Sequence, residues 1–148
     1  MSKIITVNGE INPEQLGFTL THEHLFLDVR FYWRGETEDV IFNKMIHQPI
    51  TPENHAEVMY YPWHFIDNLV INDLEDRIFE VKNYKNYGGD SIVDVSPTNR
   101  IGRNPQHFRY ISKEIGVNII MSSGLYAAAS CTEEEKKWKK EDEIGRAS

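Results

Sequence analysis

The sequence predicts an α/β fold built from parallel βαβ units, with a small β-hairpin ahead of them. Three observations carry this. Helical and strand periodicities alternate from Asn72 to Met121. Glycines at Gly88-Gly89 and Gly116 close the two helical stretches. The run Gly17 to His24 stays mostly apolar until its histidine end, as a strand buried on both faces of a parallel sheet does.

Taken in order, Ile4 to Val7 is β-rich, Asn8-Gly9 signals a tight hairpin, and Glu10-Ile11 begins the return. Asn12-Pro13-Glu14 interrupts, and Gly17 to His24 forms the next strand. Residues 25–71 follow no clear period; they mix Phe31, Tyr32, Trp33, Tyr60, Tyr61 and Trp63 with Pro49, Pro52 and Pro62. So long a segment inside a compact domain reads as a functional excursion. Within it, Thr51-Pro52-Glu53-Asn54 is expected to open a short helix capped by Thr51. Asn72-Asp73-Leu74-Glu75 resembles a capping box with Asn72 as the cap, and Leu74, Ile78 and Val81 share one helical face. Ser91 to Val95 is a short strand. Asn104-Pro105 starts a second helix that buries Phe108, Ile111 and Ile115, and Val117 to Met121 is a further strand. Thr132 to Glu135 starts a charged helix whose stretch Glu133 to Glu143 offers only Trp138 as a large apolar residue.

Composition narrows the function classes. The chain has 148 residues, 40% hydrophobic and 26% charged, which suits one globular domain. A formal charge of -7 without a basic run argues against nucleic-acid or anionic-membrane binding. Cys131 is the single cysteine, so an internal disulfide is excluded and a reducing compartment fits. Met1 to Thr6 shows no signal-peptide or spanning pattern, and a cytoplasmic location is the default expectation.

The chemistry concentrates at Thr21-His22-Glu23-His24. Alternation along an extended strand puts His22 and His24 on one side and Glu23 on the other. Two neighbouring imidazoles make a pair of nitrogen ligands for a divalent transition metal, although zinc needs three or four. In parallel sheets reactive groups gather at the carboxyl ends of the strands. Asp94, Ser96, Ser122, Ser123 and Tyr126 fall at such ends. Asp94 reads either as a further ligand or as a hydrogen-bonded structural residue. Arg100 and Arg103 read either as an anion site or as loop-structuring groups. His47, His55, His64 and His107 show no ligand spacing, Cys131 has no activating neighbour, and Gly88-Gly89 is a helix stop rather than a phosphate loop.

Three ordered blocks resemble the phosphotriesterase family of the amidohydrolase superfamily. They are Gly17 to Leu25, then Gly88 to Ser96 with Ile101-Gly102-Arg103-Asn104, then Ile111 to Tyr126. The resemblance runs from about Ile4 to Tyr126. It implies a (β/α)8 barrel with a two-metal centre, usually zinc, at its C-terminal face. It assigns His22 and His24 to the more buried metal and Tyr126 to the substrate pocket. The implied reaction is attack of a metal-activated hydroxide on an ester, lactone or phosphotriester.

The family's remaining ligands lie on later strands, including a carboxylated lysine on the fourth. A complete barrel takes about 250 residues, so the expectation here is an incomplete (β/α)8 TIM barrel with about its first three βα units. Residues 1–126 form that part, and 127–148 are a charged helical tail that leaves the family pattern. Lys136, Lys137, Lys139 and Lys140 are not assigned as the bridging lysine. An open sheet of this kind leaves unpaired edges, which favours a homo-oligomer or a missing C-terminal half as partner. The chain is expected to be a truncated or frame-disrupted hydrolase, inactive alone. Two alternatives stay open: a non-enzymatic binding module using Phe31 to Trp63, and a poorly folded relic.

Overall fold

The computed structural model describes residues 2–137. Its centre is a three-stranded parallel sheet in the order β3 (Thr19–Glu23), β6 (Ser91–Asp94), β7 (Asn118–Met121). Helix α3 (Leu74–Asn86) precedes β6, and α4 (Pro105–Ile115) joins β6 to β7. Both helices pack on one face of the sheet and against each other, enclosing Val7, Leu25, Phe26, Val81, Ile92, Phe108, Ile111, Val117 and Ile119. This is the α/β arrangement with a parallel sheet that the alternating periods imply.

The helix ends follow from local chemistry. Asn104 caps α4 by accepting from the His107 amide at 3.1 Å, with Pro105 in the first turn where its missing N–H costs nothing. Gly116 closes α4 at φ +75, a left-handed conformation open to glycine. For α3 the cap lies one residue later than the capping-box reading: Asp73, not Asn72, accepts from the Asp76 amide at 3.0 Å. An aspartate at that position also meets the positive end of the helix dipole.

Strands β1 (Ile4–Thr6) and β2 (Gly9–Ile11) form an antiparallel ribbon, tied to the sheet where the Val7 amide donates to Ile119 O at 2.9 Å. Beyond the ribbon, the chain approaches the base of β6 so closely that a Cβ on Gly17 (φ +57) would sit 2.2 Å from Asp90 Oδ2. The same carboxylate accepts from the Phe18 amide at 3.0 Å and from Lys85 Nζ at 3.0 Å.

Residues 25–71 are more ordered than their irregular sequence suggests. Strand β4 (Leu27–Asp28) pairs antiparallel with β5 (Val70–Ile71), so the excursion leaves and returns through one ribbon. Between them lie α1 (Val40–Ile46) and α2 (His55–Tyr60). Ile46, Val58 and Phe65 form a second small core, with Phe42, Met45 and Ile50 against it. Helix α1 was not expected from the sequence. The expected helix at Thr51 is instead a turn, and α2 begins after Asn54, whose side chain accepts from the Thr51 amide at 2.8 Å.

At the far end, Thr132 and Glu135 exchange hydrogen bonds as a capping box does, and Glu135–Lys137 is a 3-10 turn. The rest of the charged helix expected over residues 133–143 lies outside the described residues. No helix among those described is long and apolar enough to cross a membrane.

Candidate metal centre

The register of β3 against β6 decides where its histidines go. Leu20 pairs with Ile92 and Glu23 with Asp94, so two residues, Thr21 and His22, lie between the pairs on one strand against one, Val93, on the other. The extra residue is a β-bulge at Thr21–His22. Leu20 and Glu23 therefore share the helix-covered face with Ile92 and Asp94, which strict alternation would forbid. Without the bulge, His22 would share the face of Leu20, under the helices. The bulge turns His22 to the opposite face. His24 follows directly after the strand, and its ring centroid lies 5.9 Å from that of His22, edge to face. His22 is exposed and His24 half-buried.

Behind the pair stands a buried polar network at the carboxyl end of β6. Asp94 is fully buried, and its two oxygens accept from the Leu25 amide (2.8 Å) and the Ser96 amide (2.9 Å). Burial pushes the Asp94 carboxyl above its ordinary pKa, against the pull of those two amides. Its backbone contacts make it the structural residue of the two sequence readings, holding the chain just past His24.

Ser96 fixes His24 directly. Its Oγ lies 2.9 Å from His24 Nδ1 and 3.2 Å from Phe26 O. With the Ser96 hydroxyl donating to the Phe26 carbonyl, which only accepts, Ser96 Oγ is left to accept from His24 Nδ1–H. In that tautomer Nε2 carries the lone pair through which imidazole binds a metal. The sequence pattern puts Ser96 at a strand end but does not indicate its contact with His24. The only available signal was its spacing of two beyond Asp94.

The other nominated residues divide. Ser122 Oγ, just past β7, is buried without a hydrogen-bond partner among the described residues, and Ser123 is exposed. Tyr126 is 53% exposed and turns its ring toward Phe31, 6.4 Å away. Arg100 ties loops together, donating to Ser130 O at 2.9 Å and pairing with Glu135. His47 pairs with Glu36, and His64 Nδ1 donates to Gly35 O at 2.9 Å. Cys131 Sγ lies 3.5 Å from Ala127 O, and Lys136 pairs with Glu133. Lys139 and Lys140 lie outside the described residues. Among those described, no group of three or more His, Cys, Asp or Glu side chains is arranged to hold a metal. His22 and His24 thus supply two neighbouring imidazole donors, fewer than the three or four a zinc site takes.

Comparison with known proteins places this geometry. The profile of the phosphotriesterase family matches residues 2–137. An N-acetyltaurine hydrolase of Dictyostelium discoideum is 30% identical, over 90% of this chain and 41% of its own length. A phosphotriesterase-related protein of Aedes aegypti is 36% identical, over 87% of this chain and 36% of its own. Among solved structures, a resiniferatoxin-binding protein from Rhodobacter sphaeroides superposes with a TM-score of 0.89 at 35% identity, covering 97% of this chain and 40% of its own. A lactonase from Listeria monocytogenes gives a TM-score of 0.58 at 25% identity, covering 99% and 38%. The chain spans about two fifths of the length of the proteins it matches. Strand order, the histidine-bearing strand end and the matched span agree: this chain belongs to the phosphotriesterase family.

Proposed function

We propose that this chain carries the first-strand half-site of a metal-dependent hydrolase acting on ester, lactone or phosphotriester bonds. The N-acetyltaurine hydrolase among its relatives adds an amide to that set. The carrying observation is the pair His22 and His24 at one strand end, with Ser96 Oγ 2.9 Å from His24 Nδ1. Zinc is the metal that two imidazoles and the family lineage favour. When bound, such a metal supplies a water of lowered pKa and polarises the bond to be cleaved.

The chain's own residues act through position. Asp94 and Ser96 fix the backbone and ring of His24, so that its free nitrogen faces away from the network. The bulge presents His22 from the face not covered by α3 and α4. Tyr126, exposed beyond β7, offers an aromatic wall for the organic part of a substrate. Two histidines fall short of a closed site, so the 148-residue chain alone binds zinc weakly and turns over no substrate.

Isothermal titration with zinc, combined with lactonase, esterase and phosphotriesterase assays, tests this. One weak site is expected, lost in His22→Ala and in His24→Ala. Ser96→Ala should weaken it by about tenfold or more, as loss of a ligand's orienting partner does. Binding unchanged in His22→Ala would remove the metal reading. Two tightly bound zincs with turnover would overturn the inactivity of this chain alone.

A further inference from the structure

A cavity of about 730 Å³ opens between the β4–β5 ribbon and the start of α4, and neither His22 nor His24 lines it. Arg103 and Arg109 stand on its wall. Among the described residues neither arginine has a carboxylate within ion-pair distance, whereas Arg30, Arg100, Lys85 and Lys136 each do. Arg109 donates through Nε to the neutral Val7 carbonyl at 3.1 Å. Arg103 Nε is buried with no acceptor among the described residues. A buried guanidinium N–H without a partner is costly, and an acceptor for it is the natural complement. One carboxylate, Asp28, also reaches the wall, but Arg30 engages both its oxygens at 3.0 and 2.6 Å and lowers its pKa. Neither the half-buried Arg103 nor the exposed Arg109 is therefore paired with a carboxylate among the described residues. Leu27 and Ile71, paired across the ribbon, add apolar lining to the same cavity.

We propose that this cavity binds a small organic oxyanion, its charged head held by Arg103 and Arg109 and its apolar part against Leu27 and Ile71. The head is a carboxylate or a phosphate ester, which share the acceptor geometry that a guanidinium fork matches. The site stands independently of the metal-dependent hydrolase reading, because it uses none of the same residues.

The test follows the arginine Nε–H signals of the full 148-residue chain by NMR while titrating hexanoate, hexyl phosphate or hexanol. A saturable shift of the Arg103 signal is expected with at least one hexyl anion and none with hexanol. Whichever anion binds more tightly identifies the head. Arg103→Gln should weaken that anion about tenfold or more, the loss of one charge-assisted hydrogen bond. Arg34→Gln, at an exposed arginine outside the cavity, should bind as the parent does. Should circular dichroism show Arg103→Gln unfolded, Arg103→Lys keeps the charge, loses the Nε–H donor, and is still expected to bind more weakly. No saturable shift with either anion, equal binding of hexanol, or undiminished binding by the folded Arg103 variant would overturn the proposal.

Discussion

The core under the parallel sheet and the small core of the excursion are assembled over very different stretches of chain. The first draws on Val7, Phe26, Val81, Phe108 and Ile119, so it exists only when the whole sheet is formed. The second gathers Phe42, Ile46, Val58 and Phe65 from one contiguous segment. That segment is entered and left through the β4–β5 ribbon, and the excursion also meets the rest where the Arg30–Tyr32 turn lies against Ala128–Ser130 and Phe31 against Tyr126. Contacts local in sequence can open without dissolving distant ones. The excursion is therefore expected to loosen by itself, and the sheet core to fail as a whole.

Truncating one aromatic in each core breaks or sustains that contrast. Phe108→Ala removes a fully buried ring between α4 and the sheet, at an expected cost of about 3–5 kcal/mol. Urea denaturation should show it as a loss of global stability, with α3, α4 and the sheet melting together. Phe65 is equally buried, but its truncation is expected to release residues 39–69 first. Hydrogen exchange should then show accelerated amides in α1 and α2, with those of β6 and β7 close to the parent. Equal acceleration in β6 would show the two cores to be one cooperative unit.

These two regions also differ in what their residues announce. In α4, the asparagine-proline start, the apolar spacing and the closing glycine all agree, so cap, face and terminus were legible. In the excursion, Asp39 followed by Phe42, Met45 and Ile46 carries a helical pattern, yet neighbouring prolines and aromatics obscured it. Its structure rests on which aromatic rings meet, such as Phe42 against Phe65 at 6.1 Å, and no period encodes that. The bulge at Thr21–His22 left no trace either, since neither residue marks a break. The histidine pair was legible as a motif. The face it occupies was set by register with β6, a tertiary fact.

Smaller effects are expected at two aspartates, Asp90 just before β6 and Asp94 at its end. Asp94→Asn keeps only one accepting oxygen for the two amides of Leu25 and Ser96, and orphaning one should cost about 1–3 kcal/mol. The pH dependence is the sharper readout. Asp94 has its folded pKa raised by burial, so its contribution is full below the ordinary aspartate value and is lost as pH rises through the folded value. Asp90 has the opposite sign: the hydrogen bond from Lys85, then that from the Phe18 amide, lowers its pKa. Its contribution is present above the ordinary value and lost as pH falls through the folded one. Melting temperatures across the acid range should lose the first slope in Asp94→Asn and the second in Asp90→Asn. An unchanged profile in both would remove these carboxyls as sources of the pH response.

The finest probe of the two regions is a matched pair of helix caps. Asp39 accepts from the amides of Ile41 (2.8 Å) and Phe42 (3.0 Å) at the start of α1, and Asn104 accepts from the His107 amide at the start of α4. Alanine at either position leaves helix-end amides without their side-chain acceptor, worth about 1 kcal/mol in each case. The chemistry of the two losses is nearly the same, so any difference in outcome reports the surroundings. Asn104→Ala should lower the global melting temperature, because α4 is part of the sheet core. Asp39→Ala should leave that temperature nearly unchanged and instead raise exchange rates within α1. If Asp39→Ala lowered the global melt as much as Asn104→Ala, the excursion would have to be folding with the sheet, and its small core would be an extension of the larger one.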